Sequence, residues 1–182
     1  TGITYHKRPL GVQGQSGYCV FPGYYGLCSI VEGYHDGGEM INGHTLFSLG
    51  TVQESYVPLF APETARVIDR ATGGMAIDTL GLLGKSGHTL FCSIALPHFD
   101  VAGDEIASYL NIGAPMNGSD AVWARTGTVR MVCSNTMVLV IAQSTEHAFQ
   151  SRHYAGIAER LEAWLRAIVE MQGQVLEPIR EA

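Results

Sequence analysis

The chain has 182 residues, of which 46% are hydrophobic and 15% charged, and its formal net charge is −6. That apolar content supports a real core and excludes an intrinsically disordered chain. The acid excess excludes a globally basic coat for polyanions, and no apolar run approaches the roughly 18 residues of a membrane span.

The first residues show no basic stretch followed by an apolar one, so no secretory leader is expected and a cytoplasmic protein is. Residues 1–43 read as a Gly/Tyr-rich arm, residues 44–172 as a core domain and residues 173–182 as a C-terminal tail. Eleven of the 22 glycines fall in the first 50 residues. Each interior glycine costs a helix about 1 kcal/mol, so hairpins are expected there instead. Short strands fit at Tyr18–Phe21, Tyr24–Val31 and His44–Gln53. The aromatics Tyr18, Phe21, Tyr24, Tyr25 and Tyr34 suit a small β-core, a subunit contact or a stacking surface.

A helix is expected from Pro62, with Glu63 near its positive end and Gly73-Gly74 as its stop. Strands follow at Met75–Leu83 and His88–Leu96, on either side of a Gly84–Gly87 turn. Another pair, Glu105–Ile112 and Asp120–Gly127, flanks the turn dipeptide Asn117-Gly118. Thr128–Gln143 has strand-forming valines, yet Val129, Val132, Cys133, Thr136 and Val140 recur at helical spacing. A helix capped by Thr128 is the favoured reading. The last helix is marked by Ile157, Leu161, Trp164, Ile168 and Met171, and Gly173 is expected to end it. The whole is an α+β chain, an antiparallel β-meander packed against two or three helices, with a hairpin arm at its N-terminus.

Cys19, Cys28, Cys92 and Cys133 form no close pair of the kind that holds zinc. Cys92 and Cys133 are expected as buried free thiols, and a Cys19–Cys28 bridge between neighbouring strands is the lesser alternative. No Walker loop, HExxH, GxSxG or EF-hand pattern is present. No catalytic residue, metal site or cofactor is therefore assigned, and the chain is not read as an enzyme.

The distinctive polar string is Arg125-Thr126-Gly127-Thr128-Val129-Arg130-Met131-Val132-Cys133-Ser134-Asn135-Thr136. As a strand running into a helix, it places Arg125 near the strand end and Arg130 in the first helical turn. It reads either as a structural network tying helix to sheet or as a phosphate-contact surface.

Val129-Arg130-Met131-Val132-Cys133-Ser134-Asn135-Thr136-Met137 resembles the VRVVCxNTL signature of the phage/plasmid-like domain-of-unknown-function family. Leu49–Tyr56 resembles that family's LG-V---Y strand, and Ala61–Ala71 its following helix. Gly87–Pro97 resembles its next strand, with His88 where Arg is common. Gly118–Ala121 resembles its DGS-A hairpin, and Arg152-His153-Tyr154 its RHT. The similarity spans roughly residues 44–172, with Met131 and Tyr154 as further departures. In element order the family is similar to the single-strand-annealing recombinases of phages, the RecT/lambda-beta type.

That resemblance implies a self-assembling protein of phage or mobile-element origin that binds or anneals single-stranded DNA and has itself as partner in a ring or filament. Lys85, Arg125, Arg130, Arg152 and His153 are the expected nucleic-acid-binding residues, with bases stacking on exposed aromatics. Residues 62–166 carry eight basic and ten acidic side chains, so such binding needs a local basic track. The alternatives are a structural or interaction protein that forms homo-oligomers without nucleic acid, and an enzyme with an unrecognised site. No membrane partner is expected.

Overall fold

The computed structural model describes residues 3–15, 17–33, 35–84, 86–101, 104–142 and 148–180. Its elements in chain order are β1 (Ile3–Gly14), β2 (Gly17–Glu32), β3 (Glu39–Ile41), β4 (His44–Gln53) and α1 (Ala61–Thr72). These are followed by β5 (Ile77–Leu83), β6 (Thr89–Val101), β7 (Asp104–Pro115), β8 (Val122–Gly127), α2 (Ser134–Ala142), β9 (Ala148–Ser151) and α3 (Ile157–Arg180). The strands form two antiparallel sheets, a four-stranded one in the order β1-β2-β4-β3 and a five-stranded meander in the order β5-β6-β7-β8-β9. The α+β expectation holds.

The meander is covered on both faces, because alternate residues of each strand point opposite ways. Leu90, Cys92 and Ile94 of β6, Leu110, Ile112 and Ala114 of β7, and Val122 and Ala124 of β8 pack with Val67, Ile68 and Ala71 of α1 and Ile157, Leu161 and Leu165 of α3. The other face holds a smaller cluster of Phe91, Trp123, Met131 and Val140, capped by α2. Helix α1 starts with a proline in its first turn, carries Glu63 there, and ends at Gly73 in the left-handed region with φ 62°. Across the two helices Arg70 and Arg166 both bind Glu162 at 2.8 Å, on opposite carboxylate oxygens.

The four-stranded sheet abuts the end of the meander where the β5–β6 and β7–β8 turns lie. Ser29 Oγ donates to the carbonyl of Ser86 at 3.4 Å. The backbone at Gly50 sits against the Asn117 carbonyl so closely that a Cβ there would collide with it. Leu27, Leu49 and Val52 of this sheet join the main core.

Four expectations differ from the structure. The helix after β8 begins at Ser134, not Thr128, so Arg130 lies in an extended segment before it. The reason is that side chains of the sheet take up the backbone groups of Val129 and Met131, as described below. Helix α3 continues to Arg180, past Gly173. A single glycine weakens a helix without breaking its bond ladder, and Pro178 falls in the final turn, where little of the ladder remains to lose. Cys133 is only half-buried, whereas Cys92 is fully buried. Cys19 and Cys28 are free and lie on the same strand, β2, too far apart along it to bridge. Strand β1 gives no strand pattern in the sequence because Pro9, Gly11 and Gly14 interrupt it; it nonetheless pairs with β2 along its length, around a bulge between Pro9 and Gly11.

Candidate functional site

The VRMVCSNT string is held by two polar residues in the meander. Ser93 Oγ donates to Asn111 Oδ1 at 2.7 Å, and Asn111 Nδ2 donates to the Val129 carbonyl at 2.9 Å. The amide of Met131 points at Asn111 Oδ1 (3.3 Å) and Ser93 Oγ (3.4 Å). Ser93, Asn111 and Met131 are fully buried. Thr136 then folds the end of the string onto α2, its Oγ1 accepting from the amides of Val132 (2.8 Å) and Cys133 (3.0 Å). This is the network that ties helix to sheet. It also leaves the Cys133 thiol at the start of α2, where the Thr136 amide and hydroxyl and the Asn135 amide hold its pKa below the usual thiol value.

Among the described residues, the sequence-predicted Arg125, Arg130, Arg152 and His153 are not brought together within one subunit. Arg125 donates to the Ile141 carbonyl at 2.8 Å, on the α2 side of the sheet. Arg130 lies over the other edge of that face and pairs with Asp78 at 3.3 Å. Lys85, like Tyr34, lies outside the described residues. His153 is buried, with 2% of its surface exposed, so its ring does not reach a ligand on the surface. Arg152 alone is exposed at a concavity, and it lies beyond β9, on the opposite edge of the meander from Arg130.

That concavity is built by three separate parts of the chain: the β4–α1 linker, the β7–β8 turn and the loop between β9 and α3. A cavity of about 360 Å³ is walled by Thr51, Gln53, Ser55, Ser119, Arg152 and Tyr154. It continues past Gln53 and Ser55 into a second, of about 570 Å³, that reaches Gly23 and Tyr24. The result is one strip with an exposed tyrosine at each end, Tyr24 at 49% and Tyr154 at 52%. Among the described residues the Arg152 guanidinium has no carboxylate partner.

Each wall is fixed by named contacts. Lys7 Nζ donates to the carbonyls of Glu54 (2.8 Å) and Tyr56 (2.6 Å) and lies 4.6 Å from the centre of the Tyr25 ring. The Glu54 amide donates to Gly23 at 3.0 Å. In the β7–β8 turn Asn117 Oδ1 accepts from the amides of Ser119 and Asp120, while its Nδ2 donates to the Asp120 carboxylate at 2.7 Å. Arg160 braces the third wall, donating to the Ala155 carbonyl at 2.8 Å and to Ser151 Oγ at 3.3 Å.

The floor is a stack of Tyr56 on His153, ring centres 4.7 Å apart and planes inclined by 23°. The Val57 amide donates to the His153 carbonyl at 2.8 Å and closes the floor. The Tyr56 hydroxyl and both imidazole nitrogens are buried without a well-formed hydrogen bond. Backbone of Gly118 approaches the hydroxyl, and backbone of Val57 and Pro115 the imidazole. Burial raises the Tyr56 pKa above the usual phenol value and lowers that of His153. Both rings are thus neutral near neutral pH.

Sequence reasoning missed Tyr24, Tyr56 and Tyr154 as one surface. Tyr24 belongs to the aromatic-dense arm and Tyr154 stands at the last position of the RHT-like string, but only the fold places them on one strip. Among the described residues no three metal-ligating side chains converge, and no helix is long and apolar enough to cross a membrane.

The fold defines an α+β protein of two abutting antiparallel sheets with a polar, tyrosine-flanked strip at their junction. The family described as "Domain of unknown function (DUF932)" matches residues 48–180, well over half of the chain, and the chain belongs to it. The matched region takes in the VRMVCSNT string and all three walls of the first cavity, but not the first 47 residues, which supply Gly23 and Tyr24 of the second. No curated protein matches the chain, and no solved structure does.

Proposed function

We propose that this chain is a non-enzymatic, self-associating protein of phage or mobile-element origin that binds single-stranded DNA along the strip between Tyr24 and Tyr154, and so promotes annealing. The observation that supports this reading is the combination on that strip of exposed tyrosines, an arginine with no carboxylate partner among the described residues, and walls that carry the amide and hydroxyl side chains of Thr51, Gln53, Ser55 and Ser119. Unstacked bases lie on aromatic rings whatever their sequence, and a guanidinium meets the backbone phosphate. Asp120 and Glu54 stand at the same walls and the whole chain is acidic, so affinity per subunit is low. Assembly raises it by avidity, because one strand then crosses several strips. The relation to annealing recombinases rests on the similarity of element order and belongs to this proposal.

The test is fluorescence anisotropy with a labelled oligo-dT and the matching duplex at low salt. Saturable binding of the single strand, with weaker binding of the duplex, is expected. Absence of binding by the associated protein overturns the reading. It would favour the alternative of a homo-oligomeric structural protein, whose supporting observation is the apolar surface exposed on the hairpin tip.

A further inference from the structure

The four-stranded sheet contains a ribbon that no other strand or helix covers among the described residues. Strand β4 pairs with β2 only from Tyr24 to Glu32, whereas β1 pairs with β2 as far as Gly14–Gly17. Residues 10–14 and 17–23 therefore project as two strands alone, roughly 17 Å long at 3.4 Å per residue. An isolated two-stranded ribbon is marginal in water. This one nevertheless exposes Val12 (51%), Val20 and Phe21. Val12 pairs with Cys19, and Phe21 lies two residues on, so Val12, Cys19 and Phe21 share one face. The outer backbone edge of β2 past Tyr24 has no strand neighbour among the described residues.

The five-stranded sheet has the complementary feature. Strand β5 is its edge, paired only with β6. Asp78, at the bulge near its start, is the one charge on it; Thr79–Leu83 carries no charge, proline or bulge of the kind that blunts an exposed edge. Leu80 and Leu82 share a face and are both exposed, Leu80 by 50%. Charge permits the same match. Residues 1–31 carry no acid and residues 9–31 no charge at all, so the remainder of the chain holds the whole acid excess. Two such bodies repel each other, whereas the uncharged ribbon approaches one without that repulsion.

We propose that the β1–β2 ribbon of one copy adds to the β5 edge of a second copy, extending its sheet and laying Val12 and Phe21 beside Leu80 and Leu82. The occupant of the β5 edge is thus the arm of another molecule of this chain. The exposed face of α2, with Val138, Leu139 and Ile141, offers apolar surface but no free backbone groups, so it cannot satisfy the ribbon's open edge. A contact between two different patches is heterologous, and it propagates into a ring or a filament. The inference deepens the self-association in the proposed function. It is tested without oligonucleotide, so that its failure is distinguishable from failure of DNA binding.

The experiment is light scattering behind size exclusion on the full chain and two variants. The arm variant carries Val12→Lys and Phe21→Lys, and the edge variant carries Leu80→Lys. Wild type is expected to run as a multimer and each variant as a monomer. An equimolar mixture of the two variants is expected to form a species of twice the monomer mass, because one intact arm meets one intact edge and growth stops there. That rescue also shows that both variants are folded. A monomeric wild type, variants that stay multimeric, or a mixture that stays monomeric would each overturn the proposal. Dissociation by Leu139→Lys while both variants remain multimeric would assign the contact to α2 instead.

Discussion

The side-chain amide of Asn111, on the central strand β7, donates to the carbonyl of Val129 at 2.9 Å and pins an extended segment across the sheet. The same side chain faces Ser93 Oγ at 2.7 Å and the Met131 amide at 3.3 Å. It serves as donor and acceptor at once, in a place where no water is needed. Replacing it with alanine strands the Val129 carbonyl and the Ser93 hydroxyl proton and leaves the Met131 amide only its longer contact to Ser93 Oγ. The expected cost is about 3 kcal/mol, or roughly 6–12 °C of melting temperature for a chain this long. Asn111→Asp is expected to cost more, since a carboxylate cannot donate to Val129. Thermal melts followed by the fluorescence of Trp123 and Trp164, which report on the two cores of the sheet, check both; an Asn111→Ala melt superimposable on wild type would refute the account.

How much of this was legible in the sequence depends on the range of the interaction. Helix α1 announced itself through Pro62, Glu63 and Gly73, all local signals, and the meander through its alternation and its Asn117-Gly118 turn. The segment before α2 did not, because what keeps Val129 and Met131 from being helical is Asn111, which is distant in the chain and a neighbour only across the sheet. The tyrosine strip was hidden for the same reason. Tyr24, Tyr56 and Tyr154 come from three elements, and nothing in their spacing predicts a shared surface. Basic residues were the misleading signal: Arg125 and Arg130 stand five apart in one string but serve a helix end and an aspartate.

The docking of the two sheets makes its own prediction. A Cβ at Gly50 would meet the backbone carbonyl of Asn117, which cannot rotate away as a side chain can. Gly50→Ala is expected to destabilise by about 1–3 kcal/mol and to loosen the β7–β8 wall of the strip. Gly26→Ala is the control, since a Cβ there meets only Leu10 Cδ1 at 3.8 Å, an ordinary contact. Urea unfolding of the two variants compares them; equal midpoints would mean that the close approach is not a constraint.

His153 couples stability to pH. Its pKa is lowered in the folded chain from 6.5, first by burial. The unfolded chain therefore binds more protons in the window just below pH 6.5. Stability is complete above that value and falls as the pH drops through it, until the folded-state pKa is reached, by at most about 1.4 kcal/mol per pH unit. His153→Phe keeps the ring stacked on Tyr56 and removes the proton. Its urea midpoint is expected to change less than that of wild type between pH 7 and pH 5. Parallel profiles for the two proteins would assign the pH dependence elsewhere.

The thiols should separate by environment. Burial pushes Cys92 up to about 12, whereas the amides at the start of α2 hold Cys133 below 9.0. Alkylation at pH 7.5 with peptide mapping is expected to label Cys133 readily and to spare Cys92 in the folded chain. Thr136→Val removes the hydroxyl 3.7 Å from Cys133 Sγ and should move the pH midpoint of labelling upward. A midpoint unchanged by that substitution would leave Thr136 without influence on the thiolate.

The strip can be told apart from the α2 face by which arginine matters. Arg152 lines the strip beside Tyr154, while Arg130 is paired with Asp78 on the other side of the sheet. If a strand occupies the strip, Arg152→Ala weakens oligo-dT binding and lowers the slope of log affinity against log salt by about 0.7, the share of one phosphate on a single strand. Tyr24→Ala and Tyr154→Ala each cost about 1–3 kcal/mol through lost stacking, with little change in that slope, because a tyrosine displaces no counterion. Arg130→Ala leaves both affinity and slope as they were. The reverse pattern, with Arg130 required and Arg152 dispensable, would move the strand to the α2 face and leave the tyrosines without a ligand. Measuring slopes as well as affinities matters here, since a substitution that merely loosened the fold would weaken binding at every salt concentration without changing the number of counterions released.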